Sequence, residues 1–278
     1  MDIRRRLLRS GWYPDDEAGV RAALSSFEAG GELAGAPFGA VAAVAPHAGW
    51  EFSGSLAWAA WRAAREAELA IVIGGHLPAG ADFLCAPAPR AETPLGELEL
   101  DMELDAFVKS ELGARPDHAI DNTVEVQLPM LKARFPKAKA AWFRAPNGPE
   151  AKRLGLALAR YVGDRGIKAF ALGSTDLTHY GPAYDWEPAG GGAAGREWAA
   201  ESDRAIAEAY TQLDAERALA LAEERRASCS VGAAIAAMAF AYALGSERGE
   251  LLGITNSAAR AGGPSFVGYC AVAYAPGG

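Results

Sequence analysis

Cysteine is scarce and scattered: Cys85, Cys229 and Cys270 are the whole supply in 278 residues. An odd, widely spaced trio makes no disulfide framework and no paired-cysteine zinc pattern, and it suits a reducing cytoplasm. Long apolar runs are missing too. The most apolar stretch, "SVGAAIAAMAFAYALG" at residues 230–245, falls short of the roughly 20 residues that a membrane span needs, so it reads as a buried helix. The basic start "MDIRRRLLRS" leads into "GWYPDD" instead of an apolar core, so no signal peptide is expected. No cluster of Lys and Arg with interleaved aromatics occurs, and the formal net charge is −8; both argue against a nucleic-acid partner. The phosphate-cradling patterns GxGxxG and GxxxxGK(S/T) are absent, as is the nucleophile pattern GxSxG. Histidine is rare, with four in the chain, so where each one stands carries information.

What is present is a globular α/β composition. Half of the residues are hydrophobic, enough for one large core, and residues 1–278 read as a single domain. "DDEAGVRAALSSFEAG" opens with capping acids and ends in Gly, so Asp16 to Ala29 reads as a helix. "FGAVAAVAP" (38–46), a helix capped by Ser53 (53–67) and "LAIVIGG" (69–75) then give strand, helix, strand. This is the βαβ rhythm of a mostly parallel or mixed sheet flanked by helices. Helices are expected over 100–113 and 121–135, the second interrupted at Pro129, and again over 149–163, 196–213, 215–226 and 230–245. Strands are expected over 138–146, 168–176, 250–258 and 265–275. The Gly/Pro-rich segment 180–195 reads as a long loop of the kind used for lids and binding.

Three of the four histidines share an address. His47, His76 and His179 each follow an expected strand. Ligands of open α/β sheets bind beyond the carboxyl ends of the strands, so the three imidazoles converge if those strands are neighbours. Asp176 and His179 are spaced i, i+3, which on a helical turn puts both on one face, as a metal-ligand pair or an acid/base pair. Cys229 opens the last expected helix, where a thiolate is favoured. Cys85 and Cys270 read as core, and His118 as a solvated loop residue.

The motifs "GWYP", "APHAGWEFSG", "VIGGHLPAG", "TPLGELELD", "NTVEVQLPML", "STDLTHYG", "SCSVGAAIA" and "SFVGYCAVAY" run in this order nearly from end to end. Together they resemble the Memo family, protein B of the AmmeMemoRadiSam system. The resemblance implies a fold like that of class III extradiol dioxygenases, which use non-haem Fe(II). It implies a site cluster of His47, His76, Asp176, His179 and Cys229, in which His47 and His76 would be metal ligands, either Asp176 or Cys229 the third ligand, and His179 and Asp176 the catalytic groups. The expected cofactor is a divalent metal, Fe(II) first, with copper or zinc as alternatives. An active member would be a non-haem iron, dioxygenase-like oxidoreductase acting on a small aromatic substrate, walled by Trp50, Tyr180 and Trp186. The alternative is a catalytically silent module that works with radical-SAM and AMMECR1-like partners. Zinc hydrolysis is a third option, and it would take Glu125 as base. The chain departs from the family's pattern in three places. Asp121-Asn122-Thr123 stands for "EHS", "GGH" for "GPSH", and Ala for the Pro after the cysteine motif. An amide at Asn122 can hydrogen-bond where the family's imidazole could also relay protons.

Overall fold

The central strands carry apolar residues on both sides of the pleat, because a strand covered on two faces has no polar side to show. The helix Glu17–Ala29 (α1) is followed by Ala42–Ala45 (β1), Trp50–Ala63 (α2) and Leu69–Leu77 (β2). Next come Leu84–Cys85 (β3), the hairpin Arg90–Thr93 (β4) and Gly96–Glu99 (β5), Met102–Leu112 (α3) and Arg115–Pro116 (β6). Asn122–Glu125 (α4), Leu128–Arg134 (α5), Lys139–Pro146 (β7), Ala151–Arg165 (α6), Ala169–Ser174 (β8) and His179–Tyr180 (β9) follow. A short turn of 3-10 helix, Pro182–Tyr184, leads to Gly192–Thr211 (α7), Ala215–Arg225 (α8) and Val231–Ala243 (α9). The chain closes with Gly249–Asn256 (β10), Ala258–Ala261 (α10) and Phe266–Tyr274 (β11). The structure, a computed structural model, describes residues 2–29 and 39–277; Phe38, the expected first residue of the first long strand, lies outside them.

Among the described residues the main sheet has the order β10-β11-β1-β8-β2-β7-β3-β6, with β9 pairing to β11. The centre is parallel: β1 pairs with β8, β8 with β2, and β2 with β7. The flanks are antiparallel, β11 against β1 and β10 on one side and β3 against β7 on the other. The sheet is therefore mixed and mostly parallel at its core. Alternate residues feed two cores, as the period of two demands. Ala42, Val44, Ile71 and Ile73 face α3, α6 and α9, whereas Ala43, Ala45, Ala70 and Val72 face α1, α2 and α5. The apolar segment at 230–245 proves to be α9, buried along Val231–Ala241 between α6, α8 and the sheet. Among the described residues no helix is long and apolar enough to cross a membrane.

Several local expectations are corrected. Ser53 does not cap α2; the helix starts at Trp50, because Trp50 N–H bonds Trp12 O and its indole bonds Val126 O, which draws the chain into the helix one turn early. The helix expected over 121–135 is two short ones, and Pro129 lies in the first turn of the second. Asp176 and His179 are not on a helical turn. β8 ends at Ser174, the chain stays non-helical, and His179 opens β9, which pairs with β11. The hairpin β4–β5 and the 3-10 turn inside 180–195 were not expected from the sequence.

Candidate metal centre and the cavity beside it

The order β1-β8-β2 places three chain ends side by side. His47 lies just past β1, Asp176 just past β8, and His76 near the end of β2. Cys229 comes from the loop before α9, whose N-terminus points at the same edge. That loop is held by hydrogen bonds in both directions: Cys229 N–H donates to Asp176 O at 3.2 Å, and Asp176 N–H donates to Cys229 Sγ at 3.3 Å. Asn147, at the end of β7, clamps its other side. It donates to Cys229 O at 3.0 Å and accepts from Gly232 N–H at 3.1 Å.

His47, His76 and Cys229 each offer a ligand atom, and these atoms lie within 4.8 Å of one another. His47 is buried, Cys229 half-buried and His76 exposed. The His47 and His76 rings stand at 82° with centroids 4.9 Å apart, and Cys229 Sγ is 3.3 Å from His47 Nε2. His76 Nδ1 lies 3.0 Å from Asp121 Oδ2, which leaves Nε2 for the cluster. A carboxylate behind a ligating imidazole fixes its tautomer and orientation. His47 Nδ1 is 3.4 Å from Ser174 Oγ, which itself accepts from Gln127 Nε2 at 3.1 Å. The donor chemistry fits a transition-metal ion. Two imidazoles and a thiolate suit iron, copper or zinc, and three protein donors leave at least one position open.

The surroundings are built around His76. Its φ is 56°, a left-handed conformation that costs a non-glycine residue about 1–2 kcal/mol. Its N–H is held by Ser230 Oγ at 3.1 Å. Gly75 must lack a side chain, because a Cβ there would lie 2.4 Å from Ser230 Cβ. Behind Asp121 stands the buried Arg144, which reaches Asp121 Oδ2 at 3.2 Å and Gly75 O at 2.8 Å. Burial by itself would raise the Asp121 carboxyl, but the bonds from His76 and Thr123 and the charge of Arg144 outweigh it and hold it down to about 2. Burial would lower His76; the neighbouring Asp121 and Cys229 reverse that and lift it to about 9.

Asp176 lies beside the trio. Its Oδ1 accepts from His47 N–H at 2.7 Å, and its Oδ2 is 3.9 Å from His47 Nε2. His179 lines a cavity of about 320 Å³ together with Leu177, Tyr184, Trp186, Arg226 and Cys229. Burial lowers the His179 imidazole, the positive fields of His47 and His76 lower it further, and Asp176 opposes them. It is therefore neutral at neutral pH. Of the three aromatic rings considered as walls, only Trp186 lines this cavity. Trp50 is buried against Tyr13 and Phe27, and Tyr180 holds the following loop through its hydroxyl on Gly190 O at 2.7 Å. Glu125 is far from the role of a zinc-side base, because it accepts from Leu7 and Leu8 N–H and from Tyr13 Oη and so ties down the N-terminal segment. Asn122 donates to His47 O at 3.0 Å, so its amide clamps the His47 main chain. His118 is exposed. The supporting residues Asp121, Gln127, Arg144 and Asn147 carried no signal of their own in the sequence beyond their place inside or near a motif.

Comparison with known proteins agrees with the motifs. The Memo-like protein family pattern matches residues 5–273. A MEMO1 family protein of Methanosarcina acetivorans is 30% identical over 241 residues, covering 83% of this chain and 84% of its own length. One from Methanopyrus kandleri is 28% identical over 244 residues, covering 83% of this chain and 82% of its own. Among solved structures, an uncharacterized protein from Escherichia coli K12 superposes with a TM-score of 0.50 at 11% identity, covering 82% of this chain and 98% of that one. That likeness is one of fold.

Proposed function

The chain belongs to the Memo-like protein family, and from that premise we propose that it is a metal-dependent, oxidoreductase-like protein holding one ion between His47, His76 and Cys229. The observation that carries this is the trio itself, three donors of suitable chemistry within 4.8 Å, with His76 already turned by Asp121. Cys229 is the third ligand in this reading. Asp176 keeps its carboxylate on the His47 N–H and orients that histidine. Iron(II) is the first candidate and copper the second, since either would supply redox chemistry at an open position, whereas zinc would not. The chain's own part is to bind, orient and move a proton. His179, neutral and lining the cavity next to Cys229, is the general base for a ligand held there.

The test is metal analysis after anaerobic purification. His47→Ala, His76→Ala and Cys229→Ser should each lose stoichiometric metal with the fold intact, and Asp176→Asn and His118→Ala should keep it. Metal retained by Cys229→Ser and lost by Asp176→Asn would reverse the third-ligand assignment. A second reading, a silent metal-holding module that acts with radical-SAM and AMMECR1-like partners, draws support from Asn122, whose amide is committed to the His47 carbonyl. Oxygen uptake by the metal-loaded chain favours the enzyme; full metal occupancy with no exchangeable ligand position favours the module.

A further inference from the structure

Helices α3 and α6 end on glycines in the left-handed conformation, Gly113 at φ 71° and Gly166 at φ 63°. Helix α8 ends at the same left-handed position on Arg226, at φ 47°. Glycine meets this geometry without strain; Leu213, just past α7 at φ 56°, packs against the core, whereas Arg226 is exposed and calls for another reason. Arg226 lines the cavity beside Cys229, with its guanidinium 4.2 Å from the centre of the Trp186 ring. Stacking engages only the π-face of a guanidinium; the in-plane N–H donors stay free for a planar, forked acceptor. No Asp or Glu is among the described residues that line the cavity. Two further buried polar atoms, His179 Nε2 and Trp186 Nε1, have no hydrogen-bond partner among the described residues. Leu177, Ala222, Tyr184 and Trp186 give flat or apolar walls, with Ser228 as a further polar lining residue, and the Tyr184 ring centre lies 5.0 Å from that of His179.

We propose that this cavity takes a small planar organic carboxylate, its anionic end held in the fork of Arg226 and its plane against Trp186 and Tyr184. The position of the cavity places the far end of such a ligand towards His179 and Cys229. The proposal names the substrate class for the metal centre proposed above and rests on that reading for its place in catalysis. The recognition itself is a property of Arg226 and the aromatic wall. A single guanidinium matches the two oxygens and single charge of a carboxylate better than the multiple charge of a phosphate.

The test is calorimetric titration of the full chain, metal-free and metal-loaded, with sodium benzoate as the probe. Benzamide, cyclohexanecarboxylate and inorganic phosphate serve as comparators. Benzoate should bind both forms and outcompete neutral benzamide and puckered cyclohexanecarboxylate by tenfold or more. Arg226→Gln should weaken benzoate at least tenfold, and Arg226→Lys should fall between, since it keeps the charge and loses the fork. Arg226→Gly should melt at a higher temperature than the natural chain, by relief of the left-handed strain, while losing benzoate. That separates lost recognition from lost folding. Equal binding of benzoate and benzamide, an unchanged Kd in Arg226→Gln, no benzoate binding, or tighter binding of phosphate would each overturn the proposal. Stoichiometric metal with no benzoate affinity sinks the substrate class alone. Benzoate affinity in a chain that binds no metal sinks the metal centre alone.

Discussion

Asp121 governs which nitrogen of His76 faces the cluster, and Arg144 governs where Asp121 stands. Such supporting groups are worth 10–100-fold in metal affinity. Asp121→Asn should therefore weaken metal binding by about that factor in a chelator competition, while His47 and Cys229 keep a residual site. An unchanged affinity would mean that Cβ packing, not the carboxylate, orients the ring. The trio itself was legible in the sequence, since a rare histidine after an apolar run and a cysteine ahead of an apolar helix stand out locally. Asp121, Arg144 and Asn147 were not, because each acts on a residue far away along the chain: Asp121 lies 45 positions from His76, and Asn147 lies 82 from Cys229. Asp176 and His179 were legible as residues but misread in geometry. A spacing of i, i+3 carries meaning only on a helix, and here the chain is extended.

Elements meet at the site through close contacts that tolerate little change. Gly75→Ala would drive its Cβ into Ser230 at the start of α9. Overpacking of this kind costs about 1–3 kcal/mol. The variant should melt several degrees lower and lose metal, because Ser230 holds the His76 N–H and adjoins Cys229. A melting point and metal content equal to the natural chain would show that the two elements can slide apart freely. The junction of α4 and α5 gives a second case. Gln127 is buried there and satisfies three groups at once: Trp61 Nε1 at 3.0 Å, Pro46 O at 2.8 Å and Ser174 Oγ at 3.1 Å. Gln127→Leu leaves Trp61 Nε1 and Pro46 O buried and unpaired and Ser174 Oγ with only His47 Nδ1, and one unpaired group costs about 1–3 kcal/mol. Denaturant unfolding should show a loss of at least about 2 kcal/mol, with metal affinity reduced because the His47 loop loses its anchor. Helix ends were only partly legible. Pro129 marked the break, but the junction is set by what Gln127 must reach, and α2 begins where Trp50 finds its partners.

At the scale of the whole molecule, the α7–β11 contact holds a carboxyl that couples stability to pH. Asp203 is buried, accepts from Thr178 N–H at 3.0 Å, and lies where a side chain at Gly268 would have to be. Burial pushes it up to about 7, against the pull of Thr178 and Arg204. In the unfolded chain an aspartate titrates near 3.9. Between about pH 4 and 7 the folded state keeps a proton that the unfolded state has released, so stability falls as pH rises. The contribution is full below the unfolded value and gone above about 7. The slope for one proton is about 1.4 kcal/mol per pH unit at most. Urea unfolding at pH 5, 6, 7 and 8 should show this decline, and Asp203→Asn, which stays neutral and can still accept from Thr178, should flatten it. The same slope in both proteins would assign the pH dependence to other groups.

The sequence by itself determined the class of fold, the central strands, the buried nature of the segment at 230–245, and the identity of the cluster-forming residues. Those follow from local signals: apolar runs of strand length, helix-ending residues, and rare side chains at element ends. Only the tertiary structure decided that β8 lies between β1 and β2, which brings His47, Asp176 and His76 to one edge. Strand order is set by which faces can be covered and which crossovers can close, and neither is written in any single segment. The tertiary structure also set the Cys229 sulfur within 4.8 Å of the ring nitrogens of His47 and His76, and placed Asp176 Oδ1 on the His47 N–H. It alone showed the left-handed turn that aims Arg226 at the cavity, since backbone handedness at a non-glycine residue is imposed by packing.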